Sequence, residues 1–137
     1  LVLYLPYQRI SLQKIKEMKK ILIVDDEPNI VMSLEYTFKK NNYEVFIARD
    51  GQEALDIVKT SYPDVIILDV MMPMVDGYAT IEQIRKDDNL KHTKVIFLSA
   101  KNKESDIEKG MALGADAYMT KPFSIKKVVD KVLELLS

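Results

Sequence analysis

No cysteine occurs in the 137 residues, which excludes disulfide staples, zinc ribbons and thiol catalysis. A single histidine leaves little for a His-rich metal site or the usual His-based triad. Neither sign of charge is in excess: 20 Lys+Arg stand against 21 Asp+Glu, so no global basic field invites nucleic acid or a membrane surface. The apolar start, residues 1–5, is too short to span a bilayer, and no basic stretch precedes it as a secretory signal requires. Internal repeats and low-complexity tracts are also missing. What remains is a chain 47% hydrophobic and 30% charged, an ordinary balance for one domain with a sizeable core. Its chemistry must run on carboxylates, hydroxyls and lysines, with or without an oxygen-ligated metal.

The beginning stands apart. Pro6 interrupts the apolar start, and 11–20 is polar with Leu12, Ile15 and Met18 at helical spacing. We expect residues 1–17 to be upstream sequence or an added extension, with Ser11 capping a short helix whose Leu12/Ile15/Met18 face packs on the domain or a neighbour. The domain proper is expected over 18–137.

From Lys19 onward strand and helix alternate five times. Ile21-Leu22-Ile23-Val24 and Val65-Ile66-Ile67-Leu68 are β-branched runs too short for helices and suited to strands buried on both faces. Residues 43–48, 95–98 and 117–119 supply three further strands. The helices are expected over 30–40, 51–59, 77–86, 104–113 and 124–136, with apolar positions near the 3.6 period in each. The last carries Ile125, Val128, Val129, Val132, Leu133 and Leu136. This alternation predicts an α/β fold: a doubly wound, flavodoxin-like (βα)5 domain with a five-stranded parallel sheet of order 2-1-3-4-5. The order places a ligand crevice at the carboxyl ends of the first and third strands.

Those ends carry the chemistry. The first strand runs into Asp25-Asp26-Glu27-Pro28, the third into Asp69, the fourth into Ser99-Ala100 and the fifth into Thr120-Lys121-Pro122. Each alone has a bland reading: Asp25 or Asp26 caps the helix that Pro28 opens, Asp69 is a cap or turn residue, Ser99 bonds to backbone, Lys121 is a solvated charge. Together they fall at one edge of one sheet. Asp25, Asp26 and Asp69 in one crevice repel one another and raise each other's pKa values. One lysine offsets one of the three charges, and a divalent oxygen-seeking cation offsets the other two. Magnesium suits this, taking carboxylates, a carbonyl and waters. A cation beside a carboxylate, a lysine and a hydroxyl is an arrangement for moving a phosphoryl group.

The chain resembles the receiver (response-regulator) domain of two-component signalling, and is similar to the single-domain chemotaxis regulators. The resemblance spans about 19–136. It rests on Ile21-Leu22-Ile23-Val24-Asp25-Asp26-Glu27-Pro28, on Leu68-Asp69-Val70-Met71-Met72-Pro73-Met74-Val75-Asp76-Gly77, on Leu98-Ser99-Ala100, and on Gly114-Ala115-Asp116-Ala117-Tyr118-Met119-Thr120-Lys121-Pro122-Phe123. It implies that Asp69 is the phosphoacceptor, attacking a phosphohistidine on a histidine kinase or histidine phosphotransfer protein. It implies Mg²⁺, for which Mn²⁺ could substitute, held directly by Asp26, Asp69 and the backbone carbonyl of Met71, with Asp25 acting through a metal-bound water. Lys121 would pair with Asp69 and then with a phosphoryl oxygen, and the bond to Pro122 is the position of a cis peptide in the family. Ser99 would donate to the phosphoryl group, and Tyr118 would be the switch aromatic that turns inward as Ser99 moves. The surface of helix 4, strand 5 and helix 5 would then change shape for a downstream protein target or output domain, or pair as a homodimer.

Departures from the family pattern are few. Serine replaces the commoner threonine at 99. Met71 cannot hydrogen-bond an attacking water, which predicts slow self-hydrolysis of the acyl phosphate. Lys101 reads as a solvated lysine and His92 as an exposed loop residue, so the donor lies on another protein or domain. The expected role is a cytoplasmic signalling module that phosphorylates and dephosphorylates itself without turning over a substrate. It contacts neither nucleic acid nor membrane directly. Two alternatives are weighed: a small Mg²⁺-dependent phosphohydrolase using Asp69 or Asp25, disfavoured by the lack of Asp-x-Asp spacing in the first strand, and a receiver-like interaction domain without phosphotransfer. The chain ends at Ser137, directly after the last helix. We expect either a stand-alone regulator or a piece of a longer regulator or hybrid kinase.

Overall fold

The computed structural model describes residues 2–5, 8–11, 18–72 and 75–137. Near the start, β1 (Val2–Leu5) and β2 (Gln8–Ser11) pair antiparallel, Leu3 opposite Ile10. The sequence reading did not foresee these strands, and Ser11 closes the second of them. The helix expected over 12–17 lies outside the described residues.

The alternation then follows as expected: β3 (Lys20–Val24), α1 (Pro28–Lys40), β4 (Glu44–Ala48), α2 (Gly51–Ser61), β5 (Val65–Leu68), α3 (Gly77–Lys86), β6 (Lys94–Ser99), α4 (Glu104–Ala112), β7 (Ala117–Thr120) and α5 (Ile125–Leu136). A short 3-10 turn, Asp88–Leu90, precedes β6. The five strands β3 to β7 form one parallel sheet in the order β4-β3-β5-β6-β7, which is the predicted 2-1-3-4-5. Among the described residues no helix is long and apolar enough to cross a membrane.

Alternation along each strand builds a core on each face of the sheet. Leu22, Val24, Ile66, Leu68, Val95 and Phe97 point to one side and meet Ala54, Val58, Ile81 and Ile84 of α2 and α3. Ile21, Ile23, Val65, Ile67, Ile96 and Leu98 point to the other and meet Leu34 and Phe38 of α1 and Val128 and Val132 of α5. β3 and β5 are apolar at every central position because both of their faces are covered. Leu133, read from the sequence with the apolar set of the last helix, is instead 53% exposed. Val128 and Val132 are the buried residues of this twelve-residue helix, and Ile125, Val129, Leu135 and Leu136 pack partly buried beside them.

The helix starts bear on the site. Asp50, Asp76 and Ser124 each accept a hydrogen bond from the first turn of the helix they precede, from Glu53, Ala79 and Lys127 respectively. Glu27 occupies the same position before α1, and its side chain makes no such bond.

α3 packs tightly beneath the third strand's end. The Gly77 N–H donates to the Val70 carbonyl at 3.0 Å, and a Cβ on Gly77 would lie 2.4 Å from the Asp69 carbonyl oxygen and 2.8 Å from the Val70 Cα. Those are backbone atoms that cannot swing aside. Gly77→Ala is therefore expected to destabilise the domain by about 1–3 kcal/mol, the range for overpacking, measured by urea unfolding. An unchanged midpoint would show that the loop after β5 yields freely.

Candidate phosphotransfer site

The parallel register brings the carboxylates side by side. Val24 pairs with Leu68, so the next residue on each strand, Asp25 and Asp69, emerges at the same edge. The Asp69 N–H donates to the Val24 carbonyl at 2.9 Å, and the Asp25 N–H to Ala48 at 3.2 Å, which carries the ladder one step past each strand. Both residues are buried, at 3% exposure each. Each also accepts a hydrogen bond from the backbone two residues on: Asp25 Oδ1 from Glu27 N at 2.9 Å, Asp69 Oδ1 from Met71 N at 3.2 Å.

Lys121 arrives from the far side of the sheet. Ser99 pairs with Thr120, and the Lys121 N–H continues that ladder to the Ser99 carbonyl at 2.8 Å. The Lys121-Pro122 bond is cis. The Lys121 ammonium donates to Asp25 Oδ2 at 3.1 Å, Glu27 Oε1 at 3.0 Å and Asp69 Oδ2 at 3.3 Å. An ammonium has three N–H donors, and each has a carboxylate. Burial works against its charge, yet Glu27, Asp69 and Asp25 outweigh that and raise its pKa. Asp69 is displaced in the other sense: burial first and the Asp25 charge second push its carboxyl above the usual range, with Lys121 and the Met71 N–H opposing.

Asp25, Glu27 and Asp69 offer oxygens within 4.8 Å of one another, the one such group found among the described residues. Three carboxylates against one ammonium suit a hard divalent cation of the Mg²⁺ kind. Asp26, expected as a direct ligand, is exposed and is not among the three. Glu27, which the sequence reading gave no role, is. Only the fold shows its side chain turned to Lys121.

Ser99 is fully buried, and its Oγ accepts the Lys101 N–H at 3.1 Å. The Tyr118 hydroxyl donates to the Lys101 carbonyl at 2.8 Å, and its ring lies 5.7 Å from that of Phe97. A Cβ on Gly110 would come within 2.9 Å of the Tyr118 ring, so the glycine is what lets α4 close over it. Met71 is exposed at the mouth. Lys101 is partly buried rather than fully solvated, and it lines a cleft of about 450 Å³ with Met71, Asp76, Tyr78 and Lys109. On the other side a cleft of about 540 Å³ runs between α1 and the loop after β7, past Glu27 and Lys121. His92 is exposed in the turn before β6, at the opposite end of that strand from Ser99.

The sequence matches the model of the response regulator receiver domain over residues 21–133. The chain belongs to that family. It is 45% identical over 118 residues to the alkaline phosphatase synthesis transcriptional regulatory protein PhoP of Bacillus subtilis, a match covering 86% of this chain and 48% of that protein. The chain thus spans about half the length of this curated relative. Among solved structures it is similar to a chemotaxis response regulator of Vibrio cholerae, with 31% identity and a TM-score of 0.81 over 86% of this chain and 98% of that one. It is also similar to the receiver domain of a Francisella response regulator, with 37% identity and a TM-score of 0.79 over 85% and 95%. This is a receiver domain of two-component signalling, and the Asp25–Glu27–Asp69 cluster fits the phosphorylation site of such domains. Neither alternative weighed from the sequence is favoured.

The raised Asp69 pKa has a consequence for stability. Between the unfolded and folded pKa values the native state binds the extra proton, so this group's contribution falls as pH rises through that window. At neutral pH without divalent cation, Asp69→Asn is expected to melt higher than the wild type. The difference should shrink as pH falls and the wild-type carboxyl becomes protonated. Thermal melts across that range check the sign, and a variant melting lower at neutral pH would refute it.

Proposed function

We propose that Asp69 accepts a phosphoryl group from the phosphohistidine of a histidine kinase or histidine phosphotransfer protein. A carboxylate oxygen attacks phosphorus, the phosphorus–nitrogen bond breaks, and the imidazole leaves with the bond's electron pair. The observation that carries this reading is the Lys121 ammonium held between Asp25 and Asp69 at 3.1 and 3.3 Å. It leaves a cation beside the nucleophile that can pass to a phosphoryl oxygen. Mg²⁺, or Mn²⁺ in its place, would be held by Asp69 with Asp25, Asp26 and the Met71 carbonyl, and when bound supplies further positive charge for the phosphoryl oxygens. Glu27, the third carboxylate of the cluster, is bonded to the Lys121 ammonium.

Ser99 donates its hydroxyl to the new phosphoryl group. That movement would loosen its bond with the Lys101 N–H, and Lys101 also holds the Tyr118 hydroxyl through its carbonyl. Ser99 and Tyr118 are thereby coupled through one residue, and the surface of α4, β7 and α5 is the face that responds. That face binds a downstream protein, joins an output domain of the same protein, or forms a homodimer. The module works in the cytoplasm on residues 18–137, following the extension at 1–17. It turns over no substrate, and with a net charge of -1 it contacts neither nucleic acid nor membrane itself.

Intact mass after incubation with acetyl phosphate and Mg²⁺ tests the acceptor. One labile phosphoryl group is expected, lost in Asp69→Asn and with a chelator. A persistent adduct in Asp69→Asn would overturn the assignment. Met71→Asn, which adds a side chain able to hydrogen-bond water, is expected to shorten the adduct's half-life several-fold. An unchanged decay would remove Met71 from the control of phosphoryl lifetime.

A further inference from the structure

Glu27 sits where a helix cap belongs, yet its side chain caps nothing. Asp50, Asp76 and Ser124 each accept an N–H from the helix that follows, whereas Glu27 turns away from α1 to the Lys121 ammonium at 3.0 Å. Its side chain is 57% exposed, while those of Asp25 and Asp69 are 4% exposed. Lys121 is therefore gripped from two sides, by a buried carboxylate and by one at the solvent edge. A lysine has a flexible four-carbon stem and a compact charge, and so needs external anchors to aim it.

We propose that Glu27 is a positioning residue for Lys121: with Asp25 it fixes two of the three ammonium N–H groups, so that the third is directed at Asp69 and at the phosphoryl oxygens Asp69 would carry. The inference rests on the phosphotransfer reading above. It deepens that reading by adding a residue that acts through the lysine and does not itself touch the phosphoryl group. Asp25 would be drawn toward a bound cation, and Glu27 would then be the anchor that still holds the ammonium in place. The position gives up a capping hydrogen bond to do this, which separates its effect on the site from its effect on stability.

The test compares wild type with Glu27→Ala, Glu27→Gln and Glu27→Ser. Phosphorylation rates with acetyl phosphate and Mg²⁺ are read beside thermal melts and the proton–nitrogen NMR signal of the Lys121 ammonium in the unphosphorylated, metal-free protein. Glu27→Ala is expected to slow phosphorylation about two- to fivefold, the scale of one partly exposed ionic contact, and to weaken or lose the Lys121 signal. Glu27→Gln keeps an acceptor oxygen and should recover most of that loss. Glu27→Ser should cap α1, melting no lower than wild type while phosphorylating as slowly as the alanine variant. Rates and signal indistinguishable from wild type in all three would overturn the proposal, as would slowing that tracks lost melting temperature. Weaker Mg²⁺ binding in Glu27→Ala with the Lys121 signal unmoved would make Glu27 a metal ligand instead. A wild type that takes no phosphoryl group would count against the phosphotransfer reading, and the Lys121 signal would still decide whether Glu27 anchors the lysine.

Discussion

Confining like charge at one edge of a parallel sheet is the constraint on which the rest depends. Parallel strands end on the same side, so whatever follows β3 and β5 must emerge together. Here that is Asp25 and Asp69, both buried, and burial and mutual repulsion raise the pKa of Asp69. The Lys121 ammonium makes the arrangement tenable by donating to both and to Glu27. It answers one negative charge among three, and the imbalance left over suits a divalent cation.

The two apolar layers permit that concentration of charge. Alternating residues of the sheet are sealed by α1 and α5 on one face and by α2 and α3 on the other. The central strands have no slack with which to pull the carboxylates apart. Close approaches add to this: Gly77 lets α3 lie directly under the Asp69 backbone, and Gly110 lets α4 lie on Tyr118 and Phe97. Close packing around Asp69 is combined with an exposed mouth at Met71 and Glu27. A phosphodonor can therefore reach a site that does not itself have to open.

The strand–helix alternation was legible because each element carries its own period and punctuation. Where boundaries moved, the reasons are local. α1 begins at Pro28 rather than residue 30, since proline is at home in a helix's first turn. β6 is longer than its apolar run, because Lys94 pairs with Val65 and Ser99 with Thr120 through the backbone, whatever the side chains. The β1–β2 pair is not legible in the sequence because Pro6 reads as an interruption of a short apolar run, and antiparallel pairing depends on which segments meet.

The sequence by itself determined the class of fold, the edge of the sheet where chemistry gathers, and the four motifs that mark a receiver domain. These are properties of residue type, order and spacing, which survive projection onto one dimension. Only the tertiary structure decided how the charges are shared. Asp26 is one residue from Asp25 and yet exposed, while Glu27 is 94 residues from Lys121 and bonded to it. Direction is the reason: a carboxylate's role depends on where its side chain points once strand register and helix placement are set, and adjacency along the chain carries no such information.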